Sequence, residues 1–445
     1  MSQNIEATSI PLCSKCIRQI SGEDKPQVTL CQEPFNCFLC FGLLDDSFID
    51  EVASEVERQL TDLPYDASSF VLALNLPFSQ TLRELILRKL RPDFNGILID
   101  VPYKIRNIDA YLMKLSQNPE FHESDNAFLC KQFPNQYRQG KKRNNEGSES
   151  EVDCSKVQLQ QIQGKFTQPI ANAYKIAAPT KKCTFRLDFE RDPVYIAGRY
   201  CKYSRNLPQS PWSTEEKGGF KEPGNSVSEK VCETLREVFG AQDTSFIASG
   251  REDIDVRMLG EGRPFAVELK NTRFMKKLRG TNHTDTLKEV ENRINQLHQV
   301  VQVKYLTRVT KEQVDLLNIG QEEKRKLYTA YCYSTLKLSP ESFVEAVQKI
   351  PLEVIQKTPV RVLKRRALLD RPRSIYTLEL LRLDDHHFLA RLETQAGTYI
   401  KEFVHGDFGR TQPSLADLLK VQNGEVDILE LDVEQVDMEW PPKVE

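Results

Sequence analysis

Two pairs of cysteines near the N-terminus impose the tightest constraint on what this chain can fold into. Cys13 and Cys16 form one C-x2-C pair, and Cys37 and Cys40 form a second pair after twenty intervening residues. Each short spacer lets both thiolates bind one metal ion, and four thiolates complete the tetrahedral coordination that zinc prefers. Because four protein ligands leave no coordination position open, we predict a structural zinc site that stabilises residues 1–41 as a small module.

The composition is that of a protein with several packed domains. A chain of 445 residues corresponds to about three domains. With 39% hydrophobic and 28% charged residues, a wholly disordered or fibrous protein is excluded. No apolar run approaches the roughly 18–20 residues of a membrane span, and the N-terminal sequence lacks a secretory pattern. We expect a monomer without membrane contact, located in the nucleus, the cytoplasm or both, with reduced cysteines.

Residues 42–185 are expected to form an α/β accessory domain. Apolar residues recur at helical spacing over 46–60 and 79–92, and an apolar run typical of a strand, 68–76, lies between them. A polar stretch at about 138–156 contains a basic block followed by an acidic one. Such a stretch is typical of a disordered loop or linker, so we predict a polar insert there.

Residues 186–445 are rich in strand patterns and contain two clear helices. Apolar positions three and four residues apart predict these helices over 226–239 and 286–302. For the whole chain we predict an α/β architecture of the α+β kind. In it, the C-terminal domain would contain a mixed, largely antiparallel sheet flanked by helices.

The segment 249–270 concentrates charged residues that could act in catalysis or binding. Asp253 and Asp255 alternate with apolar residues, which predicts that both acids share one face of a strand. Gly260 and Gly262 would supply a turn, so that the segment forms a hairpin with one charged face. Charges on the inner part of a sheet are costly without partners, and we therefore expect a functional site here.

Three interpretations of this segment are open. One aspartate could act directly on a substrate, or Asp255 with Glu268 and Lys270 could form the D…E-x-K set of a Mg²⁺-dependent nuclease. The third is an exposed, salt-bridged hairpin without catalytic function. Two later segments, K-x-Y at 326–328 and GTYIK at 397–401, add no metal ligand to the nuclease set. Both fit an aspartate that works on a base held against tyrosine.

Three short motifs together resemble a known family of enzymes. GRED (250–253), K-x-Y (326–328) and GTYIK (397–401) occur in the order of motifs one, two and three of the pseudouridine synthases. The whole chain resembles the archaeal and eukaryotic Pus-ten family of tRNA pseudouridine synthases. The resemblance includes the four-cysteine module, GRYCKYSRNLPQSPW (198–212) and the C-terminal DILELDVEQVDMEWPP. It implies a THUMP-like RNA-binding region within the accessory domain.

The resemblance assigns a role to each matching residue of the motifs. It implies that Asp253 is the catalytic aspartate and that Tyr328 stacks on the target uracil and is a candidate for the final proton transfer. Tyr399 would contact the substrate, and Ile400 would form an apolar wall of the pocket. Lys401 would pair with the catalytic acid and keep it ionised.

The implied reaction is the isomerisation of uridine to pseudouridine in the TΨC arm of tRNA, at position fifty-four, fifty-five or both. One ionised carboxylate can add covalently to the base or sugar, or stabilise the charged fragment. Since the reaction is not a redox reaction, no cofactor is expected for catalysis. The alternatives are the Mg²⁺-dependent nuclease on the D…E-x-K set and a non-catalytic, zinc-dependent RNA-binding protein.

Two basic segments are predicted to contact the tRNA. Residues 191–212 alternate cations with tyrosines, a combination that can follow a phosphate backbone while stacking bases. Residues 359–373 form the strongest local concentration of positive charge, which suits contacts with phosphates. The residues predicted for RNA contact are Arg199, Lys202, Arg205, Lys364, Arg365 and Arg366.

Overall fold

The structure is a computed structural model that divides into two compact units, Met1–Arg191 and Asp192–Glu445. The predicted boundary at 185/186 lies inside the last strand of the first unit. Arg365 and almost all of the predicted polar insert lie outside the described residues. The structure describes residues 10–20, 29–67, 70–75, 78–91, 111–118, 121–137, 156–211, 225–278, 283–319, 324–364 and 366–442.

The N-terminal unit combines short helices with a small mixed sheet. Its described helices are α1 (Ser14–Ile20), α2 (Asp46–Asp62), α3 (Phe78–Leu90), α4 (His122–Gln132), α5 (Lys156–Ile162) and α6 (Gln168–Asn172). Its described strands are β1 (Pro11–Leu12), β2 (Thr29–Leu30), β3 (Phe70–Asn75), β4 (Tyr111–Asn118) and β5 (Thr184–Glu190). β1 pairs with β2, and β4 pairs in parallel with β3 and antiparallel with β5. α2, β3 and α3 confirm the helices and the strand predicted between residues 46 and 92.

The cysteine segment and the helices of this unit share one hydrophobic core. Cys16 and Phe38 are buried in the same cluster as Leu82 of α3 and Leu129 of α4. Arg83 is only 1% exposed, and its guanidinium lies 4.7 Å from the centroid of the Phe38 ring. Such a contact stabilises a desolvated cation. The cysteine segment therefore packs on the helices instead of forming a core of its own.

The C-terminal unit is built on a ten-stranded sheet. Its described strands are β6 (Val194–Lys202), β7 (Asp243–Ala248), β8 (Val256–Lys270), β9 (Val301–Val309), β10 (Lys326–Ser334), β11 (Leu352–Lys357), β12 (Asp370–Arg382), β13 (His387–Thr394), β14 (Thr411–Gln412) and β15 (Val426–Val436). The strand order is β14-β11-β12-β13-β10-β15-β8-β6-β9, with β7 paired to β8. β15 and β8 run parallel, and the other described pairs are antiparallel. The predicted mixed, largely antiparallel sheet is confirmed.

Helices cover this sheet, and apolar spacing predicted two of them, near 226–239 and 286–302, the second of which ends at Leu297. The described helices are α7 (Val227–Phe239), α8 (His283–Leu297), α9 (Lys311–Ile319), α10 (Pro340–Val347), α11 (Ile400–His405) and α12 (Leu415–Leu418). α7 begins after Ser226, whose side chain accepts a hydrogen bond from the backbone of Glu229, and ends at Gly240 with a φ of 57°. Among the described residues, no helix is long and apolar enough to cross a membrane.

The predicted hairpin over 249–270 is wrong. Both glycines lie inside one long strand, β8, which pairs with β6 on either side of them. Arg263 faces Tyr200 and Met258 faces Lys202, so four residues of β8 bulge opposite a single residue of β6. Gly262 has a φ of 81°, and a Cβ there would lie 2.5 Å from the Tyr200 carbonyl oxygen. The two glycines therefore form a bulge in left-handed conformations. The sequence could not distinguish this bulge from a turn, because both require glycine at positive φ.

Arg199 holds this bulge to the C-terminal segment from inside the protein. The side chain is 5% exposed. It donates hydrogen bonds to the carbonyl oxygens of Gly262 at 2.9 Å, Val436 at 3.0 Å and Met438 at 2.8 Å. The prediction that Arg199 contacts RNA is therefore corrected, because its donors are directed at buried backbone and not at solvent.

Replacement of Arg199 tests this structural role. In Arg199→Met the bulge and the C-terminal segment lose their shared donor, and the buried carbonyl groups are left unsatisfied. We expect the free energy of unfolding to fall by about 2–4 kcal/mol. Urea titration of the full chain, followed by the fluorescence of buried Trp440, measures this change. Arg293→Met is the control, since Arg293 is half exposed and pairs with Glu237 at the surface. An equal effect in both variants would contradict the role of Arg199.

Candidate active site

One cleft of the C-terminal unit brings together the residues of all three motifs. It has a volume of about 580 Å³ and opens between the segment that precedes β8, the beginning of β10 and the segment that leads into α11. All five residues predicted for chemistry and substrate contact line this cleft: Asp253, Tyr328, Tyr399, Ile400 and Lys401. Segments separated by some 70 residues or more in the sequence therefore form one site.

The order of three central strands brings Asp253 and Tyr328 to the same cleft. β15 lies between β8 and β10, and its Val433 pairs with Met258 on one side and with Tyr328 on the other. Asp253 precedes β8 at this end of the sheet. Two strand spacings correspond to about 10 Å, a span that a nucleotide can bridge. The acid and the tyrosine can thus act on the same substrate.

The GRED motif alternates between the cleft and the protein interior. Gly250 adopts a φ of 82°, a conformation that glycine reaches without strain. Glu252 points into the core, where it is 5% exposed, and pairs with Arg263 at 2.8 Å. The Tyr200 hydroxyl donates to the same carboxylate at 3.0 Å. Buried partners on both sides of Glu252 fix the backbone from which the next residue, Asp253, projects into the cleft.

Lys202 fixes the backbone around Asp253 from inside the protein. The side chain is fully buried, and its ammonium donates to the carbonyl oxygens of Leu207 at 2.8 Å, Asp253 at 3.1 Å and Ile254 at 2.9 Å. Burial lowers the pKa of Lys202 to about 8. The prediction that Lys202 contacts RNA is corrected, because all three contacts are internal.

Two cations approach the carboxylate of Asp253. Arg361 donates from Nη1 to Asp253 Oδ2 at 3.0 Å, whereas Lys401 Nζ lies 3.8 Å from the same oxygen. Lys401 makes its short contact, 2.6 Å, with Asp255. Burial tends to raise the pKa of Asp255, but the bond and charge of Lys401 outweigh it and leave that pKa lowered.

Arg361 is the site residue that sequence reasoning missed. It was visible as one cation of the basic segment, but nothing in the sequence distinguished it from its neighbours. Its contact with Asp253 spans 108 residues. The contact arises because the start of segment 359–373 lies beside Asp253 in the folded unit.

Tyr328 and Lys326 extend from one face of β10 into the cleft. Tyr328 is 8% exposed, and burial raises its pKa to about 12, so its hydroxyl stays protonated at neutral pH. Burial also lowers the pKa of Lys326 to about 7, with the nearby positive charge of Arg263 acting in the same direction. The cleft therefore contains an uncharged phenol beside an amine that can exist in both protonation states.

Tyr399 of the GTYIK motif is held in place by one side chain of a neighbouring strand. Gln356 of β11 donates to the carbonyl oxygen of Tyr399 at 2.9 Å and accepts from its amide at 2.8 Å. Ile400 is 4% exposed and begins α11. Gly397 has a φ of 78°, and a Cβ there would lie 3.2 Å from the guanidinium of Arg373. A larger residue than glycine would therefore displace an arginine from the cleft.

The rim of the cleft is positively charged. Arg366, Arg371 and Arg373 line it, and Lys364 is exposed nearby in the sequence. Arg205, in contrast, is committed internally, since it donates to the Leu431 carbonyl oxygen at 2.8 Å and pairs with Glu430 and Asp432. Of the residues predicted for RNA contact, Lys364 and Arg366 are thus the described ones available to a ligand.

Residues 195–437, more than half of the chain, match the family model described as "Pus10, C-terminal". The chain belongs to the Pus10 family. This membership confirms the resemblance drawn from the three motifs. The matched range contains every residue of the cleft, so the family match and the geometry concern the same part of the molecule.

Curated members of the Pus10 family align with this chain at moderate identity. "tRNA pseudouridine synthase Pus10" of Mus musculus is 42% identical over 292 residues, which are 65% of this chain and 52% of the mouse protein. Its Homo sapiens counterpart is 46% identical over 253 residues, 57% of this chain and 46% of that protein. The Xenopus laevis protein is 33% identical over 438 residues, 92% of this chain and 81% of that protein. The chain thus spans about half the length of its mouse and human relatives.

The four cysteines of this Pus10 family member form one cluster. The sulfur atoms of Cys13, Cys16, Cys37 and Cys40 all lie within 4.8 Å of one another. The backbone amide of Cys13 donates to Cys37 Sγ at 3.3 Å and that of Cys16 to Cys13 Sγ at 3.4 Å. Donors of this kind stabilise thiolates, the form that binds metal. Spacing and donor chemistry therefore fit a tetrahedral metal ion. Cys31 does not belong to the cluster.

The nuclease hypothesis is wrong because its three residues do not meet. Asp255 pairs with Lys401, Glu268 accepts a hydrogen bond from the Tyr195 hydroxyl at 3.0 Å, and Lys270 pairs with Asp243 at 3.0 Å. In the described part of the chain, the cysteine cluster is the one group of possible metal ligands with suitable spacing.

The lowered pKa of Lys326 predicts a pH-dependent penalty on stability. Since the pKa falls from 10.5 in the unfolded chain to about 7 in the folded one, the penalty is full below pH 7 and vanishes as the pH rises toward 10.5. Lys326→Met should therefore raise the Tm of the C-terminal unit by about 3–6 °C near pH 6.5. The gain should shrink toward pH 10. Calorimetry of the full chain across this range measures it.

Lys349→Met provides the matched comparison, because Lys349 is an exposed lysine of the same unit. Its Tm difference from wild type should be small and independent of pH. A gain in Lys326→Met that stays constant across the range would show that its amine does not titrate as described.

Proposed function

We propose that this protein is a tRNA pseudouridine synthase that isomerises uridine to pseudouridine through Asp253. The observation that carries the proposal is the single cleft in which Asp253, Tyr328 and Lys401 meet. Membership of the Pus10 family, whose curated members bear that enzyme name, supports it. The chemistry requires one ionised carboxylate that reaches a base lifted out of its stack.

Asp253 carries the covalent or electrostatic part of the reaction. Its carboxylate adds to the base or the sugar, or stabilises the charged fragment while the N1–C1′ bond breaks. The base then rotates and C5 bonds to C1′, while any bond that the carboxylate had formed breaks and releases Asp253. The proton on C5 leaves, and N1 takes up a proton. Arg361 and Lys401 place two positive charges beside the acid during these steps.

Tyr328 receives the uracil as an aromatic surface. Its raised pKa keeps the hydroxyl protonated, which supports stacking and hydrogen-bond donation more than acceptance of the C5 proton. Tyr399 and Ile400 complete the walls of the pocket. The cleft volume of about 580 Å³ lies within the range of ~300–1,000 Å³ that is typical of small-ligand sites. A flipped nucleotide is a ligand of this class.

The cationic rim recognises the RNA backbone. Lys364 and Arg366 with the neighbouring arginines 371 and 373 place positive charge around the cleft, where it can neutralise phosphates on either side of a flipped uridine. We assign the TΨC arm of tRNA as the target, at position fifty-four, fifty-five or both, on the motif resemblance. Residues 42–185 would act as the THUMP-like RNA-binding region of a monomer in the nucleus or cytoplasm.

The four-cysteine cluster would hold a structural zinc ion. All four ligands come from protein, and three of them are buried, so the ion would stabilise the fold and not take part in catalysis. Because Cys16 shares a core with α3 and α4, the ion would support the packing of the whole N-terminal unit.

Asp253→Asn is the experiment that tests the enzyme. The amide keeps the shape of the carboxylate but removes its charge, so pseudouridine formation in unmodified tRNA transcripts should fall below detection. The Kd for tRNA should stay within about threefold, since the rim is unchanged. Carbodiimide mapping at single-nucleotide resolution identifies the product and its position. Asp243→Asn, a change of an exposed acid paired with Lys270, is the control.

Retained turnover in Asp253→Asn would remove this residue from catalysis. Wild-type protein that binds tRNA without forming pseudouridine would instead support the alternative of a non-catalytic RNA-binding protein.

Cysteine substitutions test the zinc site. Cys37→Ser removes a buried ligand, so the purified protein should lose its one equivalent of zinc, as measured by elemental analysis, and its N-terminal unit should unfold at lower temperature. Cys31→Ser changes a cysteine of the same segment that lies outside the cluster, and it should retain the metal. Equal zinc content in the two variants would contradict the site.

A further inference from the structure

Arg361 connects two carboxylates of very different exposure. One end of its guanidinium, Nη1, lies 3.0 Å from Oδ2 of Asp253 in the cleft, and the other, Nε, lies 2.7 Å from Oε1 of Glu402. The Asp253 side chain is 41% exposed, whereas that of Glu402 is 2% exposed. The arginine therefore has a buried anchor on one side and the reacting acid on the other.

The burial of Glu402 makes its ion pair with Arg361 costly to break. It lies in the first turn of α11, and its second carboxylate oxygen, Oε2, is buried without a hydrogen-bond partner among the described residues. A buried carboxylate is costly unless a cation compensates it. Arg361 is the cation that the structure provides. Separating the two would leave a charge uncompensated inside the protein, so the arginine is held in one orientation.

The other cation at the site is engaged elsewhere. Lys401, the residue before Glu402, makes its short contact with Asp255 and lies 3.8 Å from Asp253. The short ion pair of Asp253 is therefore with Arg361. The two cations are thus fixed in different ways. Lys401 is held by its direct contact with Asp255, whereas Arg361 is held by the buried Glu402.

Arg361 also belongs to the segment that carries exposed cations. The backbone amide of Val360 donates to Asp407 Oδ2 at 3.2 Å, which fixes the beginning of this segment. Lys364 and Arg366 follow within five residues of Arg361, and both are exposed. A contact of these cations with RNA would act on the same short stretch of backbone that positions the partner of Asp253.

We infer that Glu402 and Arg361 form a positioning pair: Glu402 fixes Arg361, and Arg361 fixes the carboxylate of Asp253 in its reactive orientation. The RNA-contacting segment and the catalytic acid are thereby joined through one side chain. This inference rests on the proposed function, since it assigns roles within the same reaction. Both residues lie outside the three motifs, 250–253, 326–328 and 397–401.

A double-mutant cycle on the rate of pseudouridine formation tests the pair. The variants are Arg361→Gln, Glu402→Gln and the double variant in the full chain, assayed in single turnover at saturating tRNA transcript. Arg361→Gln should lower the rate constant roughly 30–100-fold and Glu402→Gln roughly tenfold. The double variant should be no slower than Arg361→Gln, because Glu402 acts through the arginine. The Kd for tRNA should stay within about threefold in all three.

Arg391→Gln is the matched control. Arg391 is a half-exposed arginine of β13 that pairs with Glu434 at 3.3 Å and is not among the residues that line the cleft. Its effect should multiply with that of Glu402→Gln, as expected for independent sites. If Glu402→Gln does not fold, Arg361→Lys replaces it in the test. Lysine keeps the charge but lacks the fork that contacts both acids, so the rate should recover only in part over Arg361→Gln.

The outcomes separate the inference from the function on which it rests. Multiplying effects of Arg361→Gln and Glu402→Gln, or a change in Kd with an unaltered rate constant, would overturn the positioning pair while the enzyme assignment stands. Full recovery of the rate in Arg361→Lys would equally show that charge alone is required. Absence of pseudouridine with wild-type protein would overturn the proposed function, and the pair with it.

Discussion

The ion pair between Arg263 and Glu252 lies inside the C-terminal unit, where both side chains are almost completely shielded from water. Two charges at that depth are stable only with good geometry and further hydrogen bonds. Tyr200 donates to the glutamate, and the Ser249 carbonyl oxygen accepts from the arginine at 2.9 Å. Because Glu252 immediately precedes Asp253, the direction of the Asp253 side chain depends on this pair.

The same ion pair influences the chemistry on the other side of the cleft. The positive charge of Arg263 opposes a second positive charge on Lys326 and thereby adds to the effect of burial. Its position depends in turn on the bulge of β8, which brings it opposite Tyr200. Backbone shape, buried charge and the protonation of cleft residues are thus linked through one strand. A change in any of them would alter the site without a substitution at Asp253.

Cations in this protein serve three different purposes that depend on what surrounds them. Arg199 and Lys202 are buried and satisfy backbone carbonyl groups. Arg361 is half exposed and holds acids in a cleft, whereas Lys364 and Arg366 remain available to solvent. The net charge of −3 conceals this division. The proposed binding of RNA at the cleft depends on this exposed group together with Arg371 and Arg373 of the rim.

Much of the organisation was predictable from local patterns. Apolar spacing predicted α2, α3, α7 and α8, since a helix depends mainly on residues three and four apart. The cysteine spacing predicted the cluster, because two residues between ligands is a local geometric requirement. The three motifs predicted which residues would meet in one cleft. Each motif is only three to five residues long, so its residues reach the cleft together once the motif does.

Other features were decided only by the tertiary structure. Left-handed glycines suit a turn and a bulge equally, so the pairing of β8 with β6 decided between them. The basic and aromatic residues after 191 suggested RNA contact, yet distant carbonyl groups enclose Arg199 and Lys202. Sequence alone determined the local elements and singled out Asp253 as the candidate for the reacting acid. Tertiary structure chose the partners of the long cationic side chains, because such a side chain binds whichever oxygen atoms the fold brings within its reach.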